Sequence, residues 1–301
     1  MGETVPFPKP RDVYREITDH IIAAIEKGAG DCEMPWHREI GHAAPTNVFT
    51  GKSYNGINVV ALWVAAEMRK FGSGLWATYK QWNLIGAQVR RGEKGSIVVF
   101  YKETKREQID EETGERQMHP FFVARASSVF NAEQVDGWQP LPKPLVRDPA
   151  EVLDQAEAFV AGTAADIRHG GDRAYYTRST DHIVMPDRDR FTGTKTISAT
   201  EGYYATLFHE LTHWTGHESR LHRQLSGRFG KEAYAMEELV AELGAAFLCS
   251  DLAITNSPRS DHAAYIGNWL QVLKNDKKAI FTAASKASQA KTYLSGLQPS
   301  H

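Results

Sequence analysis

Tyr204-Ala-Thr-Leu-Phe-His209-Glu210-Leu-Thr-His213-Trp-Thr-Gly216 is the stretch on which the reading of this chain turns. Tyr204, Leu207, Phe208 and Leu211 recur at helical spacing, Ser198-Ala-Thr-Glu201 upstream fits a capping box, and Gly216 supplies a stop. His209 and His213 therefore stand one turn apart on one helix face, with both imidazoles aimed at a common ion. Glu210 follows the first His directly, which puts its carboxylate beside the ion, able to activate a bound water, and not beneath it as a ligand. This is the H-E-x-x-H arrangement of metal-dependent hydrolases, in which zinc brings the pKa of bound water to roughly 7 and the Glu takes the proton.

A third protein ligand has to come from elsewhere. The metzincin spacing asks for Gly at 216 and His at 219; Gly216 is present, but residue 219 is Ser. His217 falls two residues early and lies past the expected helix end, in an outer-sphere or surface position. Glu237-Glu238-Leu-Val-Ala-Glu242 is the better source. Glu238 and Glu242 share a helix face, with Ala241 and Ala245 leaving room for close approach, and such acids are costly to bury without a cation. Glu238 is assigned as ligand and Glu242 as the partner that orients a ligand His, with Glu237 the alternative ligand or a solvated acid. Zn2+ suits the set best, although imidazole and carboxylate also accept Mn2+ and other transition metals. Tyr203, Tyr204, His262 and Tyr265 are weak candidates for steadying an oxyanion.

Working outward, the charge is unevenly spread. Between Pro45 and Arg106 ten Lys/Arg face three Asp/Glu, a net +7, whereas the chain from Glu151 onward is −2. The +7 stretch also holds nine aromatic residues. Basic groups neutralise phosphates and exposed rings stack on unpaired bases, so this half favours single strands over duplex. Trp76, Lys80, Trp82, Arg90, Arg91, Lys94, Tyr101 and Lys102 are the expected contacts, whereas Trp63 and Phe71 sit on the inward face of a helix and read as core.

Periodicity places helices at about 12–27, 57–71 and 79–85, and β-branched and aromatic runs at 97–105 and 121–130 flank a hydrophilic turn at Asp110–Gly114. Pro140-Leu-Pro-Lys-Pro144 reads as a linker. Beyond it come a helix at 150–162, strands near 174–176 and 182–185, the motif helix, a helix at 231–250 and two more within 263–297. The expected fold class is α+β: residues 1–140 as an α+β domain with a small antiparallel sheet, 141–150 as linker, and 151–301 as a mainly helical domain with a small sheet.

The N-terminus lacks the layout of a signal peptide, Pro6 departs from a myristoylation site, and no run approaches the length of a membrane span. Cys32 and Cys249 form no metal-type spacing, so a reduced cytoplasmic protein is expected.

Longer motifs carry a family resemblance. Trp76-Ala-Thr-Tyr-Lys-Gln-Trp82 with Gly86, Arg91-Gly-Glu-Lys-Gly95 leading into Ile97-Val-Val-Phe-Tyr101, and Val129-Phe-Asn-Ala-Glu-Gln-Val135 match the first half. Tyr204 to His217 with Arg220-Leu221, Glu237 to Glu242, and Tyr265-Ile-Gly-Asn-Trp269 complete the set. On these the chain resembles the ArdC-type antirestriction proteins of conjugative plasmids, and its first half is similar to part of some plasmid primases. The resemblance implies an N-terminal single-stranded-DNA-binding domain, a C-terminal metallopeptidase-like domain with His209, His213 and Glu238 as ligands and Glu210 as base, and protection of an entering strand from restriction. Three readings follow: a DNA-binding antirestriction protein with an active protease site, for which a host protein is a possible substrate; a strand-coating protein whose metal site is structural; and a metalloprotease without DNA binding. A primase is least favoured, because the basic half is poor in carboxylates.

Overall fold

Capping chemistry sets the helix boundaries. The Ser198 hydroxyl accepts from the Glu201 backbone N–H while the Glu201 carboxylate accepts from Ser198, opening a helix that runs from Ala199 to Thr215 and ends on Gly216. Thr78 and Gln81 form the same reciprocal pair at the start of the short helix Tyr79–Leu84. The computed structural model describes residues 12–28, 34, 36, 44–109, 116–139, 149–193, 197–255 and 262–299, with backbone alone for 102–109, 116–123, 149 and 262–264. Cys32, the turn at Asp110–Gly114 and the linker prolines 140–144 lie outside the described residues, as do the side chains of Lys102 and His262.

The fold is α+β, as expected. In the first half α1 (Val13–Gly28), α2 (Ile57–Arg69) and α3 (Tyr79–Leu84) accompany six strands: β1 (Thr46–Asn47), β2 (Leu75–Thr78), β3 (Gln88–Val89), β4 (Ser96–Ile109), β5 (Arg116–Asn131) and β6 (Val135–Asp136). One sheet has the order β1-β2-β5-β4 and is antiparallel except at its edge, where β1 joins β2 in parallel. β3 and β6 form a separate antiparallel pair. Helix α2 stops two residues short of Phe71, because Lys70 adopts a left-handed conformation with φ 59°.

The second half contains α4 (Pro149–Gly162), β7 (Asp166–His169), β8 (Tyr175–Thr177), β9 (His182–Met185), α5 (Ala199–Thr215), α6 (Ser226–Phe229), α7 (Ala233–Asp251), α8 (His262–Asn275) and α9 (Ala279–Gly296). Its sheet has the order β7-β9-β8, with β8 antiparallel to β9 and at an edge. Helix α7 is apolar nearly all round and is buried from Glu238 to Cys249. One face belongs to a cluster with α5, α4 and β9, which includes Ala245, Leu248, Phe208 and Ile183. Its other face belongs to a larger cluster that crosses the proline-rich stretch: Ile21, Val60 and Trp63 from the first half pack with Leu239, Phe247 and Ile280 from the second.

Trp63 and Phe247 meet across that seam with ring centroids 5.8 Å apart. Trp63→Ala should cost about 3–5 kcal/mol and lower the melting of both halves in one transition. Calorimetry checks this; a second transition left at the wild-type temperature would mean that the halves unfold independently.

Candidate metal centre

Two helices must cross closely for α7 to reach the histidines of α5, and Gly244 permits it. A Cβ at Gly244 would lie 2.6 Å from Thr212 Oγ1, so any larger residue would push α7 away. The tight point falls at Gly244, between the two alanines that the sequence offered for this purpose. At this crossing His209 and His213 from α5 face Glu238 from α7. Their Nε2 atoms are 3.1 Å apart, and each lies 3.5 Å from a Glu238 oxygen. Zinc–nitrogen and zinc–oxygen bonds of about 2.0–2.1 Å arranged tetrahedrally place neighbouring ligand atoms roughly 3.3 Å apart. The two Glu238 contacts are to different carboxylate oxygens, and one ligand atom from each of the three side chains lies within 4.8 Å of the others, so the donor set suits one ion.

Each histidine is held from behind by a different carboxylate. His213 Nδ1 donates to Glu237 Oε1 at 3.2 Å, and Glu237 is gripped by the guanidinium of Arg223, whose Nε lies 2.8 Å from Oε2. His209 Nδ1 faces Glu242 Oε2 at 3.5 Å, and Trp36 Nε1 donates to the other Glu242 oxygen at 3.3 Å. Glu242 thus lies on the outer side of His209. Glu237, the alternative ligand, is hydrogen-bonded to His213 Nδ1 and Arg223. The Glu237 bond fixes the His213 ring, while His209 Nδ1 faces Glu242 without a hydrogen bond, and both Nε2 atoms point to the centre. Arg223 and Trp36 were not visible to sequence reading, since each is brought in by tertiary packing from outside the motif helices.

The charges are mutually dependent. Burial alone would depress the His213 pKa, but its hydrogen bonds with Glu237 and Glu238 and the nearby Glu210 charge push it up to about 10. Burial would raise Glu237, yet Arg223 and His213 hold it down at about 2. Glu238 is likewise held well below the usual carboxylate range against its burial, by hydrogen bonds from His209 and His213.

The centre opens into a cleft of about 610 Å³ in which Glu210, Tyr234, Tyr265 and the β8 residues Tyr175 and Tyr176 take part. The Tyr234 and Tyr265 hydroxyls are 3.2 Å apart, and Tyr234 shares the cleft with Glu238. Tyr234 had no motif to reveal it. Tyr203 and Tyr204 are buried, Tyr203 is paired with His169, and neither lines the cleft. His217 takes the surface alternative, paired with Ser219 at 2.8 Å beyond the helix end. Arg220 lies over the Trp214 ring and grips Asp181, which accepts from Tyr176; this ties the β8–β9 hairpin to the end of α5.

The expected DNA contacts divide sharply. Trp76 and Trp82 are 1% and 0% exposed, packed in the core beside Phe71 and Trp138, so the stacking role expected of them is corrected. Arg90 is committed to Glu93 and Asp136 and to the carbonyl of Glu133. Lys80, Arg91, Lys94 and Tyr101 are exposed.

Comparison with known proteins agrees with both halves. Residues 11–130 match the N-terminal domain of anti-restriction factor ArdC, and residues 154–286 match zincin-like metallopeptidases. Uncharacterized protein y4eC of Sinorhizobium fredii (strain NBRC 101917 / NGR234) is 46% identical over 294 residues, 96% of this chain and 93% of that protein. DNA primase TraC of Escherichia coli is 37% identical over 300 residues, but the chain spans 27% of its length. The metal-free crystal structure of the antirestriction protein ArdC from plasmid R388 superposes with a TM-score of 0.75 and 41% identity, covering 96% of this chain and 98% of that one. Its Mn(II)-bound structure gives a TM-score of 0.69 with 37% identity and the same coverage.

The two pKa displacements set a pH profile for the metal-free chain. Glu237 is depressed in the fold, so its contribution is complete above the ordinary carboxylate pKa of about 4.5 and is lost as pH falls through about 2. His213 is raised, so its contribution is complete below about 6.5 and is lost as pH rises through about 10. Thermal melts with a chelator should therefore show Glu237→Gln least stable relative to wild type between about pH 4.5 and 6.5, with the gap narrowing on both sides. A gap independent of pH would show that the Glu237–His213 pair carries no such linkage.

Proposed function

Because this chain belongs to the ArdC antirestriction family, we propose that it binds single-stranded DNA and carries a metal-dependent peptidase-like centre, protecting incoming plasmid DNA from restriction. The observation that carries the catalytic part is the convergence of His209, His213 and Glu238 in one cleft with Glu210 beside them. We assign residues 1–140 to strand binding and 151–301 to the metal centre, joined by 141–150, and place the protein in the cytoplasm. His209, His213 and Glu238 hold one divalent ion, Zn2+ by preference, with Mn2+ and other transition metals also compatible with these donors.

When bound, the ion supplies a Lewis acid and an activated water at neutral pH. The chain's own residues do the rest. Glu210 accepts the proton of the attacking water and passes it to the leaving nitrogen. Tyr234, with Tyr265 behind it, donates to the oxygen on which negative charge develops. The outer edge of β8 offers backbone groups along which an extended peptide segment can lie, which favours a protein, such as one of the host, as substrate. Exposed Lys80, Arg91 and Lys94 neutralise phosphates along the strand-binding half. The alternative, a coating protein with a structural metal, keeps support from the burial of His209 and Glu238.

Glu210→Gln should retain the metal and the melting temperature while hydrolysis of an unfolded protein substrate falls by about 100-fold or more. Metal content, calorimetry and a peptidase assay on the full chain read these together. If Glu210→Gln protects unmodified plasmid in a restricting host as well as wild type does, the coating reading replaces the hydrolytic one.

A further inference from the structure

A second cavity, of about 1120 Å³, opens where strand β4 meets the start of α2 and the flank of α9. Strand β4 is the outer strand of its sheet, and an outer strand presents the rims of both its faces to a groove running along it. Successive residues Phe100 and Tyr101 therefore both take part, and they are 49% and 50% exposed. The strand edge itself is stopped at Val99 by the Asn58 amide, which donates to the Val99 carbonyl at 2.8 Å and accepts its N–H at 2.7 Å. Backbone pairing with an added strand is thus blocked at that point, which disfavours an extended peptide.

The opposite wall is helix α9, whose residues Ser285, Ser288, Gln289 and Thr292 supply hydroxyls and an amide. No Asp or Glu occurs in α9 or among the described residues that line the cavity. Lys52 and Lys291 are its charged residues; Lys291 is paired at 2.7 Å with Asp251, which lies outside the lining. The two walls are joined at the floor, where the Gly56 backbone N–H donates to Ser288 Oγ at 3.0 Å.

We propose that this groove is the bed of an unpaired DNA strand, with bases stacked on Phe100 and Tyr101 and contacted by the hydroxyls and amide of α9. The proposal rests on the single-strand reading given under Proposed function. It adds that both halves of the chain hold the strand. Aromatic faces accept any base, and duplex DNA hides those faces, so the groove selects single strands with little sequence preference. Hydroxyls and amides both donate and accept, which suits bases of any identity, and a wall without carboxylates adds no repulsion toward phosphates.

The test uses the full chain and a fluorescein-labelled thymidine 20-mer, read by anisotropy at two salt concentrations. Phe100→Ala, and separately Ser285→Glu combined with Gln289→Glu on α9, should each weaken binding about tenfold with unchanged circular dichroism and melting. Photo-cross-linking of a 4-thiothymidine strand to wild type should map to β4 and α9. If wild type does not bind the oligonucleotide, the single-strand reading itself fails. If wild type binds and both variants bind equally well, or cross-links map only to residues 79–94, the groove assignment is overturned while that reading stands. Tight binding of an unfolded peptide there, unaffected by the oligonucleotide, would likewise overturn it in favour of a protein ligand.

Discussion

Everything around the centre depends on buried carboxylates of α7 meeting imidazoles of α5. Glu238 and Glu242 are 7% and 2% exposed on a helix that is mostly apolar. An unpaired buried carboxylate would cost several kcal/mol in practice. Here the cost is offset by His209 and His213, and the contact exists because Gly244 lets the helices close on Thr212. In the metal-free chain the surrounding carboxylates push the His213 pKa up, against its burial.

The second consequence concerns the two halves. Trp36, from the N-terminal half, donates to the carboxylate that faces His209, and its ring packs against Trp269 of α8, which in turn stacks on Tyr265 at the cleft. The hydrophobic cluster beneath crosses the same boundary. The groove between β4 and α9 is likewise lined by residues of both halves.

Much of this was legible in the chain because long amphipathic helices announce themselves. The capping pair Ser198 and Glu201, the one-turn spacing of His209 and His213, and the shared face of Glu238 and Glu242 are local patterns, and each survives in three dimensions. β8 and β9 were legible despite their shortness, whereas the two-residue strands β1 and β3 offer no alternation to register, and β7 was missed. Arg223, Trp36 and Tyr234 reach the site through packing, which no spacing encodes. Trp76 and Trp82 misled for a related reason: a count of aromatic residues does not distinguish a ring that stacks on a base from one that fills a core.

The most direct measurement is anomalous diffraction at the zinc absorption edge from crystals grown with one equivalent of Zn2+. The account predicts a single strong peak about 2.0–2.2 Å from His209 Nε2, His213 Nε2 and a Glu238 oxygen, with Glu237 still on Arg223 and Glu242 still facing His209. A peak held elsewhere, or none at these three side chains, would contradict the assignment of the centre and the hydrolytic chemistry built on it.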